Sequence, residues 1–341
     1  MLQKSNHTSL KVSVSIITYN HERYIERAIL SVLKQWVNFD YEIIIGDDCS
    51  TDRTREILLT YQQKYPDIIQ LILHPKRYEG VPGRLNNITN LYACRGQYIA
   101  LLDGDDYWIS EDKLQQQVDF LDQHTDYVLA FHDAKVVSED NESDAYYYSE
   151  KAQNPHPGTT FTQQQIAKKW FIQTSTMLFR NHLIGEFPDW FWQICSADHA
   201  IQLLVTKHGK AKCLNNLESV RRVHSRSFNN TYWSDKLTQN ELMINDLLIF
   251  SENFSALRGA IQSDHILARR YSYSAHLLWQ RNKYKDSLVS FLRCISKDPS
   301  WVKERIKVRM QLVFNWFLPA LSERKENKRT PENALADKHS T

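Results

Sequence analysis

The chain has 341 residues, 42% of them hydrophobic and 24% charged, an ordinary balance for a globular protein with a full core. A formal net charge of +2 gives no electrostatic footprint for nucleic acid, which is not expected as a partner. Five scattered cysteines without CxxC spacing argue against both a disulfide framework and a zinc site and suit a reducing compartment.

Residues 1–11 form a polar tail without the apolar centre of a signal peptide. No apolar run approaches the roughly 18 residues of a membrane span, so a cytoplasmic location is expected. Val12 to Ile17 is a β-branched strand that ends at Thr18-Tyr19-Asn20, with Asn20 placed to cap a helix over 21–36. Tyr41 to Gly46 is a second strand running into Asp47-Asp48, followed by capping residues and a helix over 52–64. Ile68 to Leu73 is a third strand, and Arg84 to Cys94 a helix after a loop rich in proline and glycine. Tyr98 to Leu102 is a short apolar strand that runs directly into Asp103-Gly104-Asp105-Asp106. By itself that tetrapeptide reads equally as an Asp-Gly turn. Carboxylates packed so closely raise each other's pKa unless a cation neutralises them, and oxygen ligands suit Mg2+ or Mn2+.

This βαβαβαβ order predicts an α/β fold with a doubly wound, mostly parallel sheet flanked by helices. Ligands of such sheets bind at the carboxyl ends of the strands, so the three polar clusters are expected on one rim. No GxGxxG or GxxxxGK[ST] is present to cradle phosphates with glycine-loop amides.

Downstream, a helix over 110–124 capped by Ser110, a strand over 127–137 and a long polar loop over 138–158 are expected. A short strand over 174–179 follows, then a helix from Asp198-His199 through Leu204 and strands at Cys213-Leu214 and Ser219 to Val223. Beyond about residue 234 the pattern is helical: 237–250, and a pair over 266–280 and 284–296 broken at Asn282. Residues 301–321 mix basic and apolar residues, the pattern either of a core-packed helix with a solvated basic face or of one lying on an anionic membrane surface. The expected layout is therefore an α/β domain over 12–233, in two halves, 12–110 and 111–233. A helical region over 234–321 and a disordered tail over 322–341 follow.

Val14 to Asn20, Ile44 to Asp52 and Gly96 to Asp106 together resemble the three N-terminal signatures of the family 2 glycosyltransferases, in order and at the usual separations. The resemblance covers roughly residues 12–230 and leaves the helical C-terminal third outside it. Within 12–233 it implies a nucleotide-binding half (12–110) and an acceptor half (111–233). It implies a GT-A fold and inverting, metal-dependent transfer from a nucleotide sugar, UDP-linked, to a glycan or lipid-linked acceptor in surface polysaccharide or glycoconjugate synthesis. The cytoplasmic face of the membrane is the matching location, and Mn2+ or Mg2+ the cofactor. It places the nucleotide against Thr18, Tyr19, Asn20, Asp47, Asp48, Asp103 and Gly104, with Arg77 or Arg84 reaching base or phosphates. Asp105 is the implied metal ligand, Asp106 its neighbour in support, and His224 a further contact to metal or phosphate. Cys49 stands where the family usually has glycine. Asp198 resembles the family's general base, although its position also suits a helix cap. Trp190 and Trp192 offer an acceptor platform, or else core packing. A nucleotidyltransferase and a non-catalytic scaffold are the competing classes.

Overall fold

A computed structural model describes residues 10–139, 144–152, 157–215, 217–225, 235–254, 257–259 and 265–303. The chain forms two compact units, Met1–Asp264 and His265–Thr341.

The first half of unit one follows the expected alternation. β1 (Val12–Thr18), β2 (Tyr41–Asp47), β3 (Ile69–Leu73) and β4 (Tyr98–Asp103) are interleaved with α1 (Ile25–Leu33), α2 (Thr54–Lys64) and α3 (Arg84–Ala93). These four strands lie parallel in the order β3-β2-β1-β4. The side chains of β1, β2 and β4 are buried on both faces, while β3, at the sheet edge, is partly exposed. Val14, Ile16, Ile43, Ile45, Ala100 and Leu102 pack with Ile25, Ile29 and Val32 of α1 in the main core. Gly46 admits α3 to the sheet: a Cβ there would stand 1.9 Å from Asn86 Oδ1.

Beyond β4 the sheet turns mixed. β5 (Tyr107–Trp108), α4 (Lys113–Gln123), β6 (Tyr127–Phe131) and β7 (Ala134–Ser138) come next, then β8 (Tyr146–Tyr147), α5 (Tyr148–Ala152), β9 (Thr160–Phe161) and α6 (Gln163–Lys168). β10 (Leu178–Arg180), α7 (Ala197–Thr206), β11 (Lys210–Cys213), β12 (Ser219–Val223) and α8 (Lys236–Asn253) complete the unit. The main sheet runs β3-β2-β1-β4-β10-β6-β11-β9, with β10 antiparallel to both β4 and β6. A smaller sheet, β5-β12-β7-β8, stands beside it.

Several expectations are corrected here. The strand expected over 127–137 is two strands, β6 and β7, in different sheets, broken at His132-Asp133. The loop expected over 138–158 contains β8 and α5. Residues Thr174–Thr176 form a 3₁₀ turn, and the strand expected over 174–179 begins only at Leu178. Ser110 does not cap α4, which starts at Lys113; its hydroxyl instead accepts from the Glu218 amide at 2.8 Å. α8 groups with the first unit and not with the helical pair. In the second unit α9 (Ile266–Gln280) and α10 (Tyr284–Lys297) pair across a turn in which Asn282 takes a left-handed φ of 59°. The amphipathic segment over 301–321 lies, from residue 304, outside the described residues, as do the tail over 322–341 and residues 1–9. No described helix is long and apolar enough to cross a membrane.

Candidate active site

The registers of the parallel strands set the site. Thr18 lies beside Asp47 across β1–β2, and Ile17 beside Asp103 across β1–β4, so the three polar strand ends share one rim. The loops after β1 and β2 are fastened together: the Asp48 amide donates to the Thr18 carbonyl at 3.0 Å, and the Asn20 amide to Ser50 Oγ at 2.9 Å. Asn20 Oδ1 accepts from the Thr51 amide at 2.7 Å, so Asn20 staples this turn and does not cap α1, which begins at Ile25. Cys49, in the glycine position of the turn, takes a φ of 63°, the left-handed conformation that glycine adopts without cost.

At the outer end of the rim, the Arg77 guanidinium lies 3.8 Å above the Tyr19 ring and 3.7 Å from Asp48 Oδ2. Asp48 is almost wholly buried, and that burial, opposed by Arg77, leaves its pKa raised. Its Oδ1 is buried with no hydrogen-bond partner. Asp47, also buried, is largely committed to the fold: its Oδ2 accepts from Arg55 Nε at 2.5 Å and from the Ser50 amide at 3.0 Å, while Oδ1 is unpartnered. Of the two arginines left open by the sequence, Arg77 lies half-exposed on the rim and Arg84 does not. Arg84 is 2% exposed, lies 4.5 Å over the Phe191 ring and donates to the Ile194 carbonyl at 2.6 Å. It is buried under the segment before α7, where only Nη2 is engaged and Nε and Nη1 have no hydrogen-bond partner, and not on the open rim beside Tyr19.

The acidic turn after β4 is drawn tight. Gly104 N donates to the Ile17 carbonyl at 2.9 Å, and a Cβ on Gly104 would sit 2.8 Å from Thr18 Oγ1 and 2.9 Å from His21 Nδ1. Only glycine lets β1 and this turn approach so closely. The three carboxylates then separate in role. Asp106 Oδ1 accepts from the Arg222 amide at 2.9 Å and so ties β12 to the turn. Burial, with Asp105 and Asp103 adding repulsion, pushes its pKa well up. Asp103 is pushed up to about 7, by burial first and then by Asp105 and Asp198. Asp105 goes the other way: burial pushes it up, but His21 and His224 outweigh that and hold it below the usual carboxylate range. His224 Nε2 lies 3.0 Å and His21 Nε2 3.9 Å from the same Asp105 Oδ2. His21 carried no signal in the sequence. It sits past the end of β1, where only the close approach at Gly104 brings it to the acidic turn.

Asp198 reaches the same centre from the other side. It lies in the first turn of α7, whose N-cap is Ser196, so capping is not its task. Its Oδ2 accepts from Trp170 Nε1 at 2.8 Å and from Thr174 Oγ1 at 3.5 Å, and its Oδ1 from the His199 amide at 2.8 Å. Its charge also raises the pKa of Asp103, so the carboxylate of β4 and that of α7 bear on one another across the rim. Burial raises the Asp198 pKa, while the His199 amide, Trp170 and Arg221 partly offset the rise. Arg221 places its charge toward Asp103, Asp106 and Asp198 together. The two tryptophans divide. Trp190 packs edge-on against Phe250 and Phe254 of the α8 end at 5.9 and 5.7 Å, in line with the packing alternative, and is partly exposed. Trp192 lies 5.6 Å from the Tyr78 ring, next to Arg77 in sequence, and stays partly exposed.

This fold, four parallel strands continued through an antiparallel β10 with an acidic turn after β4, is the GT-A fold. It matches a crystal structure of Staphylococcus aureus TarS residues 1–349 in complex with UDP-GlcNAc, with a TM-score of 0.58 at 18% identity over 84% of this chain and 82% of that one. Residues 13–184, half of the chain, match the sequence model of glycosyl transferase family 2, and the chain belongs to that family. It is 32% identical over 219 residues to an uncharacterized glycosyltransferase of Nostoc, covering 63% of this chain and 65% of the relative. It is 29% identical over 229 residues to an uncharacterized protein of Mycobacterium tuberculosis, covering 66% of this chain and 62% of that one. The matches thus span less than two thirds of the length of these curated relatives.

Proposed function

We propose that the chain is an inverting, divalent-metal-dependent glycosyltransferase that moves a sugar from a UDP-sugar to an acceptor hydroxyl. The observation that carries this reading is the acidic turn after β4, where Asp105 is held by His224, facing Asp198 of α7 closely enough that Asp198 raises the pKa of Asp103. Family membership argues against a nucleotidyltransferase, and the TarS complex with UDP-GlcNAc supports a UDP donor.

Tyr19, Arg77 and the unpartnered Asp48 Oδ1 form the surface for the base, with Thr18 and Asp47 alongside. Asp103 and Gly104 take the ribose side, at the end of β4. A mixed carboxylate and imidazole donor set fits a divalent ion, and Asp105 with His224 would hold Mn2+ or Mg2+. Such an ion supplies charge stabilisation to the departing diphosphate. Asp106 holds β12, and with it His224, in place through the Arg222 amide.

In the transfer, the acceptor oxygen attacks the anomeric carbon as its proton passes to Asp198. The bond from that carbon to the diphosphate oxygen breaks, and the diphosphate leaves with the electron pair. Trp170 fixes the Asp198 carboxylate in orientation, and burial raises its basicity toward the working pH. A base on the face opposite the leaving group gives inversion. Acceptors are a glycan or lipid-linked hydroxyl, with residues 301–321 a contact to the inner face of the membrane.

Purified protein with Mn2+ and a panel of nucleotide sugars is expected to release nucleoside diphosphate, from UDP-sugars above others. Asp198→Ala should lose roughly 10²–10⁴-fold in turnover while still binding UDP, and Asp105→Ala should lose turnover and metal dependence together. Full activity in Asp198→Ala, measured as diphosphate release, would remove the base assignment.

A further inference from the structure

β1, β4 and β12 each deliver one side chain to a single point: His21, Asp105 and His224. Their ligand atoms all lie within 4.8 Å of one another. Resting on the metal-dependent reading above, we propose that His21 is a third protein ligand of the divalent ion, and that two imidazoles and one carboxylate make the site select Mn2+ over Mg2+.

The distances favour coordination over a simple hydrogen-bonded trio. His224 Nε2 is hydrogen-bonded to Asp105 Oδ2 at 3.0 Å, but His21 Nε2 stands 3.9 Å from the same oxygen, too far for a hydrogen bond. Ligands held at about 2.1 Å from a small octahedral ion lie about 3.0 Å apart when adjacent and about 4.2 Å when opposite. The spacings of 3.0 and 3.9 Å from the two imidazoles to Asp105 Oδ2 fall in that range. The two imidazoles come from different strand ends, with ring centroids 6.2 Å apart and planes at 87°, so they approach the carboxylate from different directions.

The chain also holds His21 there. Its backbone amide donates to Thr54 Oγ1 at 2.9 Å, and its carbonyl accepts from the Tyr24 and Ile25 amides at the start of α1. Its Nδ1 edge rests where a Cβ on residue 104 would be, 2.9 Å away, so the absence of a side chain at Gly104 is what admits the ring. Tyr24, in the turn that His21 opens, packs its ring 4.7 Å from that of His224. One short segment therefore places one imidazole and buttresses the other.

The chemical consequence is selectivity. An acidic turn alone is an oxygen site, indifferent between hard ions, whereas imidazole nitrogen favours Mn2+ and later first-row metals over Mg2+. The test is pulsed electron paramagnetic resonance on the full chain loaded with Mn2+ and UDP, which counts the nitrogens bound to the ion. Two histidine nitrogens are expected in the wild type and one in His21→Ala or His21→Gln. A weakening of Mn2+ binding by at least about tenfold and a narrowed preference over Mg2+ should accompany that loss. One nitrogen in the wild type, or an unchanged count in both His21 variants, overturns the role of His21 and leaves the metal reading standing. A wild type that binds no Mn2+, with or without UDP, removes both. The wild-type count decides even if a variant does not fold.

Discussion

At the scale of single residues, the acidic turn divides three neighbouring carboxylates by environment. Asp103 is pushed from 3.8 up to about 7 by burial and by Asp105 and Asp198, so the folded protein holds its proton more tightly than the unfolded chain. The stability this group contributes is therefore fully present below about pH 4 and is lost as pH rises toward 7. Buried histidines shift stability the other way, since burial lowers His21, His132 and His199. The comparison that isolates Asp103 is wild type against Asp103→Asn, by chemical denaturation without metal. The wild type is expected to become steadily less stable than the variant from about pH 5 to pH 8, and Mn2+ with UDP should reverse the trend. A stability difference independent of pH would show that Asp103 ionises in its ordinary range. Asp47, Asp48, Asp105 and Asp198 could be found in the sequence because carboxylates at strand and helix ends stand out. His21 could not, because its place depends on a contact across the chain, at Gly104, that no local pattern encodes. Arg84 was ambiguous for a related reason: a long cation serves a ligand or a core equally well, and only its burial shows which surroundings it has.

At the scale of elements, the placement of Asp198 depends on a helix far along the chain. Asp246, in α8 and 3% exposed, accepts from the Cys195 amide and the Ser196 amide, both at 2.9 Å, and from Ser196 Oγ at 2.5 Å. Arg84 grips the preceding carbonyl of Ile194, so the approach to α7 is pinned from both sides. Asp246→Ala should destabilise the fold by roughly 3 kcal/mol, because hydrogen bonds to a charged group are each worth about 1.5–3 kcal/mol. Its kinetic signature is more telling: turnover should fall while UDP affinity holds, since the nucleotide surface is built on β1 and β2 and not on α7. A matched loss of UDP binding, measured by calorimetric titration, would contradict this division of labour. The parallel half was legible because β1, β2 and β4 are short β-branched or apolar strands buried on both faces, each ending in polar residues. The second half was not. β7 pairs with β12, some eighty residues on, and the apolar pattern across His132-Asp133 gives no sign that the chain changes sheets there. α6 has only Ile166 and Ala167 as buried apolar residues, and its one sequence signal, the Thr162–Gln165 capping box, passed unread.

At the scale of the whole molecule, each residue assigned to donor, metal and base lies in the unit Met1–Asp264, and α9 and α10 belong to the unit His265–Thr341. The helical pair has its own internal fastenings, among them Ser287 Oγ on the Ala275 carbonyl at 2.8 Å and an ion pair between His265 and Asp298. A ligand that binds only the folded form stabilises what it binds by an amount set by mass action, about 2.7 kcal/mol at a hundredfold excess over its Kd. Saturating UDP and Mn2+ should therefore slow amide exchange across β1, β2, β4 and the acidic turn, and leave the amides of α9 and α10 at their unliganded rates. Peptide-resolved hydrogen exchange, read with and without ligand, distinguishes the outcomes. Protection confined to the first unit means that the catalytic fold opens and closes on its own. Equal protection in α9 and α10 would mean that the two units unfold as one, and that the helical pair contributes to the stability on which the site depends.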